Sequence, residues 1–173
     1  MGANNYKPVK ALWNCPQGTD AEMLDNLLRE TFNYFLKEAN PETGLIADKT
    51  EPDSPSSITA VGFGLSSFVV AVERGLLSRE EAISKTLTIL KFFKLSHQGI
   101  EPDATGYKGF YYHFIDMKTG KRAWKCELST IDTTFFIAGV LTAANYFTNE
   151  NKEEAEIRAL ADFLYKRIDW QWH

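Results

Sequence analysis

Ser57-Ile-Thr-Ala-Val-Gly-Phe-Gly-Leu-Ser-Ser-Phe-Val-Val-Ala-Val-Glu-Arg74 is the stretch that decides the fold. It has the length of a helix, and Ile58, Val61, Phe63, Leu65, Phe68, Val69 and Val72 leave it almost no polar side. A helix that is apolar all round must be covered all round. The segment from about Ser129 to Phe147 has the same property, carried by Ile131, Phe135, Phe136, Ile137, Val140 and Leu141. Three further segments are amphipathic at a 3.6-residue spacing: about Thr19 to Ala39, Ser78 to Leu95, and Asn151 to Ile168. The first of these places Leu24, Leu27, Leu28, Thr31, Tyr34 and Phe35 on one face. Outer amphipathic helices alternating with inner apolar ones predict an all-α fold, a partial (α/α)6 toroid.

The helix ends are marked. Thr19-Asp-Ala-Glu22 and Ser78-Arg-Glu-Glu81 read as capping boxes, in which side chains satisfy orphan backbone donors. Asn40-Pro41 stops the first helix and Gly75 the second. Between the third and fourth helices, about Ser96 to Glu127 is far longer than an ordinary connection, and loops of that kind are functional or disordered. Its density of aromatic rings argues for order. Phe110 to Ile115 reads as a short strand in a β-hairpin that turns at Lys118-Thr119-Gly120.

An internal repeat supports this layout. Phe32-Asn-Tyr34, Thr43-Gly44 and Ser57-Ile58 lead into the first inner helix. Phe110-Tyr-Tyr112, Thr119-Gly120 and Thr130-Ile131 lead into the second. A closed toroid needs twelve helices, on the order of 400 residues and well above typical domain length. The 173 residues here supply five. The expectation is therefore one domain spanning 1–173 that is the N-terminal portion of a larger toroid. A homo-oligomeric partner or a missing C-terminal half would then cover its inner helices.

Composition excludes several classes. A net charge of −4, a pI near 5.4 and scattered basic residues argue against nucleic acid and anionic membrane as partners. The most apolar run, Ile58 to Val72, falls short of the roughly 20 residues that span a bilayer. No GxSxG, phosphate-cradling glycine loop or HExxH is present, so no cofactor is expected. His97, His113 and His173 show no ligand spacing, so no metal is expected either. Cys15 and Cys126 are either free thiols or a pair in an exported protein.

The candidate site lies in Glu127-Leu-Ser-Thr-Ile-Asp132, where two carboxylates flank a helix start downstream of an aromatic loop. Asp132, in the first helical turn, is stabilised by the helix dipole by about 0.3–1 kcal/mol, which suits a cap, a base or a sugar-hydroxyl acceptor. Glu127 stands beside Trp124 and Cys126, and burial there would raise its pKa toward an acid's role. Tyr107, Tyr111 and Trp124 are candidates to stack on sugar faces, with Lys108 and His113 as polar contacts. Phe110, Tyr112 and Phe114 read instead as the buried face of a strand, and His113 is equally readable as structural. Asp48 and Asp53, in the matching loop before the first inner helix, read alone as turn formers, and the repeat would bring them to the same mouth. Gly62 and Gly64 are explained by close helix packing.

Seven runs together resemble the bacterial glucoamylase-like domain family, which is related to the endo-β-1,2-glucanases. They are Thr43-Gly-Leu-Ile-Ala-Asp48, Pro52-Asp-Ser-Pro55, Thr59-Ala-Val-Gly-Phe-Gly-Leu65, Glu73-Arg-Gly75, Gly106-Tyr-Lys-Gly-Phe-Tyr-Tyr-His-Phe114, Glu127-Leu-Ser-Thr-Ile-Asp132 and Glu154-Ala-Glu-Ile-Arg-Ala-Leu160. The resemblance runs from about Leu24 to the last residue. It implies an (α/α)6 toroid, a carbohydrate substrate of the β-glucan or oligosaccharide class, hydrolysis with inversion, and a periplasmic or secreted setting. Members are more than twice as long and carry a downstream Trp-x-Pro-Glu motif whose Glu is a candidate acid. This chain lacks that motif. Glu127 and Asp132 are then the candidate catalytic residues of an incomplete site. The alternative is a non-catalytic helical module that binds carbohydrate or protein through the same mouth.

Overall fold

The computed structural model describes residues 18–172. Five helices carry the chain: α1 (Asp20–Lys37), α2 (Ile58–Glu73), α3 (Arg79–Leu95), α4 (Thr130–Tyr146) and α5 (Lys152–Arg167). Five short strands accompany them: β1 (Ser56–Ser57), β2 (Gly106–Tyr107), β3 (Phe110–Tyr112), β4 (Phe114–Ile115) and β5 (Leu128–Ser129). Both predicted capping boxes form, Thr19 with Glu22 and Ser78 with Glu81, and the Asn151 side chain accepts the Glu154 N–H at the start of α5. Cys15 and His173 lie outside the described residues.

The inner helices α2 and α4 pack against each other along their length, α3 packs on α5 and α2, and α5 packs on α4. This is the partial toroid that the alternation predicts, with α1, α3 and α5 outside. The α2–α4 contact is close because two glycines meet there. A Cβ on Gly62 would stand 2.4 Å from the Phe135 carbonyl oxygen, and one on Gly139 would stand 2.1 Å from the Gly62 oxygen. The core between the helices is aromatic: Phe93 lies 4.2 Å from Phe136 and 4.9 Å from Tyr111, centroid to centroid.

Two expectations change. The predicted stripe on α1 is buried only toward its C-terminal end. Phe32 is buried and Tyr34 and Phe35 half-buried, whereas Leu24 and Leu27 are exposed. Leu28, Phe32 and Phe35 of α1 line a groove with Val70 and Ala71 of α2, whereas the upstream apolar residues stay largely in solvent. The long loop also forms more than one hairpin. β3 pairs with β2 and β5, while β4 pairs with β1 in a separate ladder. The turn at 118–120 does form, with an Ile115–Arg122 bridge across it.

The repeat has a structural counterpart. The Asn40 side chain accepts the Glu42 and Thr43 N–H groups, and Gly44, at φ +73°, donates back to the Asn40 carbonyl. The Asp116 side chain accepts those of Lys118 and Thr119, and Gly120, at φ +68°, closes the same turn. Glycine is the residue that takes this left-handed conformation without steric cost. The two turns touch, since Asn40 Nδ2 donates to the Met117 carbonyl at 2.8 Å. Strands β1 and β4 then register Ser57 against Phe114, which brings the starts of both inner helices to the aromatic loop.

Candidate functional site

Three side chains converge at those helix starts. Glu127 precedes β5, Asp132 sits in the first turn of α4, and His113 joins β3 to β4. His113 is held by its backbone on both sides: its N–H donates to the Glu127 carbonyl and its own carbonyl accepts from Ile58 N–H, each at 3.1 Å. Its Nδ1 lies 2.8 Å from Glu127 Oε1 and its Nε2 lies 3.7 Å from Asp132 Oδ1. Thr59, in the first turn of α2, donates its hydroxyl to Asp132 Oδ1 at 2.5 Å, and the Ser129 hydroxyl donates to Asp132 Oδ2. The Asp132 carboxylate thus ties the two inner helices together at the mouth. Ser129 also caps α4 by accepting the Asp132 N–H.

Glu127 does not meet the expectation of a buried acid. Its side chain is 65% exposed, and its own backbone N–H and His113 hold its carboxyl below the usual range. Its sequence neighbour Trp124 points to solvent, so it does not desolvate the carboxylate. Among the described residues, every carboxyl whose value departs from the ordinary one departs downward. One atom each from His113, Glu127 and Asp132 lie within 4.8 Å of one another, a grouping of metal-ligand type. The spacing of histidines alone could not foresee it, because two of the three groups are carboxylates.

The aromatic residues divide. His113 stacks on Phe114 with centroids 3.9 Å apart and planes within 15°, and Trp124 continues the row 5.4 Å beyond Phe114. Trp124 and Lys125 both adopt left-handed φ, at 52° and 56°, and Trp124 stays 69% exposed beside the carboxylates. Tyr111, by contrast, is only 1% exposed and packs on Phe93 and Phe136. Its hydroxyl accepts from Arg167, so it is a core residue and not a stacking platform. Tyr112 and Phe114, expected to be buried, are half-exposed, and Tyr112 carries the Arg122 guanidinium over its face. The expected alternation is absent, because the core reaches both faces of β3 at Phe110 and Tyr111.

Tyr107 and Lys108 belong to a separate group. Lys108 pairs with Asp169 at 3.2 Å and lies over Trp172, and Tyr107 meets Trp172 edge-on. Asp48 and Asp53 are exposed in the loop before β1. Asp53 lines a shallow groove of about 410 Å³ with Met117 and Lys118, and no hydrogen bond or ion pair joins either aspartate to Glu127 or Asp132. A larger groove of about 740 Å³, lined by Phe92, His97, Asp103 and Lys121 among others, includes none of the predicted site residues. Thr59, Ser129 and Phe114 are the site residues that the sequence did not single out. Ser129 was legible as a helix start, whereas the reach of Thr59 across to α4 requires the helix packing.

No family model matches the chain. It is 32% identical over 161 residues to an exo β-1,2-glucooligosaccharide sophorohydrolase (non-reducing end) of Parabacteroides distasonis, covering 90% of this chain and 21% of that protein. The structure of a β-1,2-glucanase from Parabacteroides distasonis superposes with a TM-score of 0.78 at 30% identity, over 90% of this chain and 22% of that one. An endo-β-1,2-glucanase from Chitinophaga pinensis, solved with sophorotriose and glucose, gives a TM-score of 0.75 at 26% identity, over 90% and 38%. The chain spans about a fifth of the length of the curated relative it matches. Over the part it spans, this chain is similar to glucoamylase-like proteins and to endo- and exo-acting β-1,2-glucanases.

Proposed function

We propose that this chain forms part of a glycoside hydrolase that acts on β-linked gluco-oligosaccharides, β-1,2-linked ones first. The observation that carries the reading is the convergence of Glu127, Asp132 and His113 at the paired starts of α2 and α4, in a chain whose homologues hydrolyse β-1,2-glucans. Glycosidases place two carboxyl groups about 5–5.5 Å apart for retention and about 6.5–9.5 Å for inversion. One carboxylate oxygen of Glu127 lies within 4.8 Å of one of Asp132, and both groups flank the His113 ring. They therefore act on one side. Glu127, exposed and held ionised, orients the attacking water or a sugar hydroxyl, and Asp132 fixes the mouth. The acid comes from outside this cluster. Trp124 supplies the sugar platform. The setting is periplasmic or secreted, and a second copy or helices outside this chain cover the inner helices. No helix among the described residues is long and apolar enough to cross a membrane.

The test is reducing-sugar release from a panel of linear glucans, with binding of β-1,2-linked oligosaccharides followed by calorimetry. Glu127→Gln should leave binding within a few-fold and cut release by about 100-fold or more, the scale of lost general-base catalysis. Binding without release by the unmodified chain favours the non-catalytic module, as does the lack of a carboxyl with a raised pKa among those that shift. Release by Glu127→Gln at the unmodified rate would end the proposal.

A further inference from the structure

The turn that presents Trp124 is built against the preferences of its own residues. Cys126 N–H donates to the Ala123 carbonyl at 3.1 Å, closing a four-residue turn. Its central residues, Trp124 and Lys125, both take left-handed φ, at 52° and 56°. Positive φ at both central positions marks the mirror-image turn in which glycine, asparagine and aspartate dominate. A bulky residue there is a steric outlier, and such a conformation persists only where its surroundings fix it. Here they do. Ala123 N–H donates to the Phe114 carbonyl at 2.9 Å, and Cys126 Sγ accepts the Phe114 N–H at 3.2 Å. Arg122 fastens the turn from within: its Nε donates to the Cys126 carbonyl at 2.6 Å and its Nη2 to the Lys125 carbonyl at 2.8 Å. The guanidinium itself lies over the Tyr112 ring, 4.2 Å from the centroid. What this fastening holds out is an indole that is 69% exposed and no part of the buried core. It ends the row that His113 and Phe114 begin.

We infer that Arg122 is a positioning residue, locking the Trp124–Lys125 turn so that the Trp124 indole stands outward as a platform for the apolar face of a pyranose ring. A planar guanidinium fork reaches two successive carbonyls at once, which the point charge of a lysine ammonium does not reproduce. Donors of Arg122 are engaged with the turn and one of its faces with Tyr112, so its contribution passes through Trp124. The steric cost of the left-handed turn falls on folding, and the indole is in place before a ligand arrives. Preorganisation of that kind raises affinity by sparing the ordering of the side chain at binding. The sugar as occupant rests on the hydrolase reading given above, but the lock itself does not.

The experiment is fluorine NMR of the purified chain labelled with fluorotryptophan, alongside calorimetry with a linear β-1,2-linked gluco-oligosaccharide. The Trp124 line is assigned by its loss in Trp124→Phe. In Arg122→Gln that line should move and broaden while those of Trp170 and Trp172 stay in place. Adding Lys125→Gly should restore it, because glycine takes the left-handed conformation without steric cost. Affinity should fall about five- to ten-fold in Arg122→Gln, the scale of ordering one side chain, and recover in the same double variant. Arg122→Gln on top of Trp124→Ala should lower it no further, the non-additivity of a residue that acts through its neighbour. Arg122→Lys keeps the charge and removes the fork, so it carries the same test where the Gln variant does not fold. An unmoved Trp124 line in folded Arg122→Gln overturns the lock. So does a loss of affinity that Lys125→Gly fails to restore, or that persists in full beside Trp124→Ala, since Arg122 would then touch the ligand itself. A Trp124 line that moves as expected, in a chain that binds no β-1,2-linked oligosaccharide, would sink the hydrolase reading and leave the lock standing.

Discussion

Glu154 shows how one residue can govern acid stability in this fold. It lies in the first turn of α5 with its carboxylate out of solvent, where Arg79 grips it through two bonds of 3.0 and 2.8 Å. Asn149 N–H and Asn151 Nδ2 complete the shell. The Arg79 guanidinium, first among these, brings the carboxyl down to about 2. A carboxyl depressed in the folded state stabilises the fold above its unfolded pKa and loses that contribution as pH falls through the folded value. The relevant window runs from about pH 5 down to about pH 2, and the contribution at stake is roughly 3 kcal/mol. Denaturant melts should show the unmodified protein weakening across that window. Glu154→Gln should be weaker at pH 7 by a few kcal/mol and flatter in acid, because removing one partner strands the other. Equal acid slopes for both proteins would refute the assignment. In the sequence, Glu154 was visible only as part of a family-like run, since its partner lies 75 positions away. The same limit explains Tyr111 and Glu127. Ring content and neighbours in sequence suggested a platform and a buried acid, but burial is set by Phe93, Phe136 and the outward turn of Trp124.

At the scale of elements, what was legible is local. Capping boxes, stop residues and the all-round apolar character of α2 and α4 involve residues within a few positions of one another, and the structure reproduces them closely. The strand pairings were not legible, because β1 with β4 and β3 with β5 join segments distant in sequence through two-residue ladders. Gly62 lies between these cases. Its packing role could be read, but its partner Gly139 could not. A methyl group at either site would stand well inside van der Waals contact with backbone atoms of the other helix, which cannot swing aside like a side chain. Gly62→Ala or Gly139→Ala should therefore push α2 and α4 apart and cost about 1–3 kcal/mol or more, despite the gain in helix propensity of about 1 kcal/mol. The shift should also lengthen the Thr59–Asp132 bond, so sugar binding should fall with stability. Gly75→Ala, where no heavy atom lies near the added carbon, isolates the backbone effect of a left-handed glycine. Gly62→Ala and Gly139→Ala variants as stable as the unmodified chain would show that the helices do not depend on this contact.

At the scale of the molecule, the inner helices are finished on one side only. Their contact face and the face toward α3 and α5 are buried, but Phe63 is 49% exposed, Phe135 45% and Ile131 69%. Phe63 and Phe135 form a ring pair across the two helices, 5.7 Å between centroids, and Val70 and Leu141 extend the surface. The sequence announced that these helices need cover on every side, and among the described residues one side is left without it. Contiguous exposed apolar surface of this kind drives association. The purified chain should therefore self-associate with concentration in light scattering and bind a hydrophobic dye while its near-UV circular dichroism stays native. Phe63→Ser with Phe135→Ser should shift the population toward monomer and cut dye binding several-fold. The double substitution should leave the fold intact, because neither ring belongs to the buried core. If the unmodified chain is monomeric at high concentration and binds no dye, its inner face needs no cover. A monomeric chain that still bound β-1,2-linked glucan would place its mouth, rather than its apolar face, as the surface that works alone.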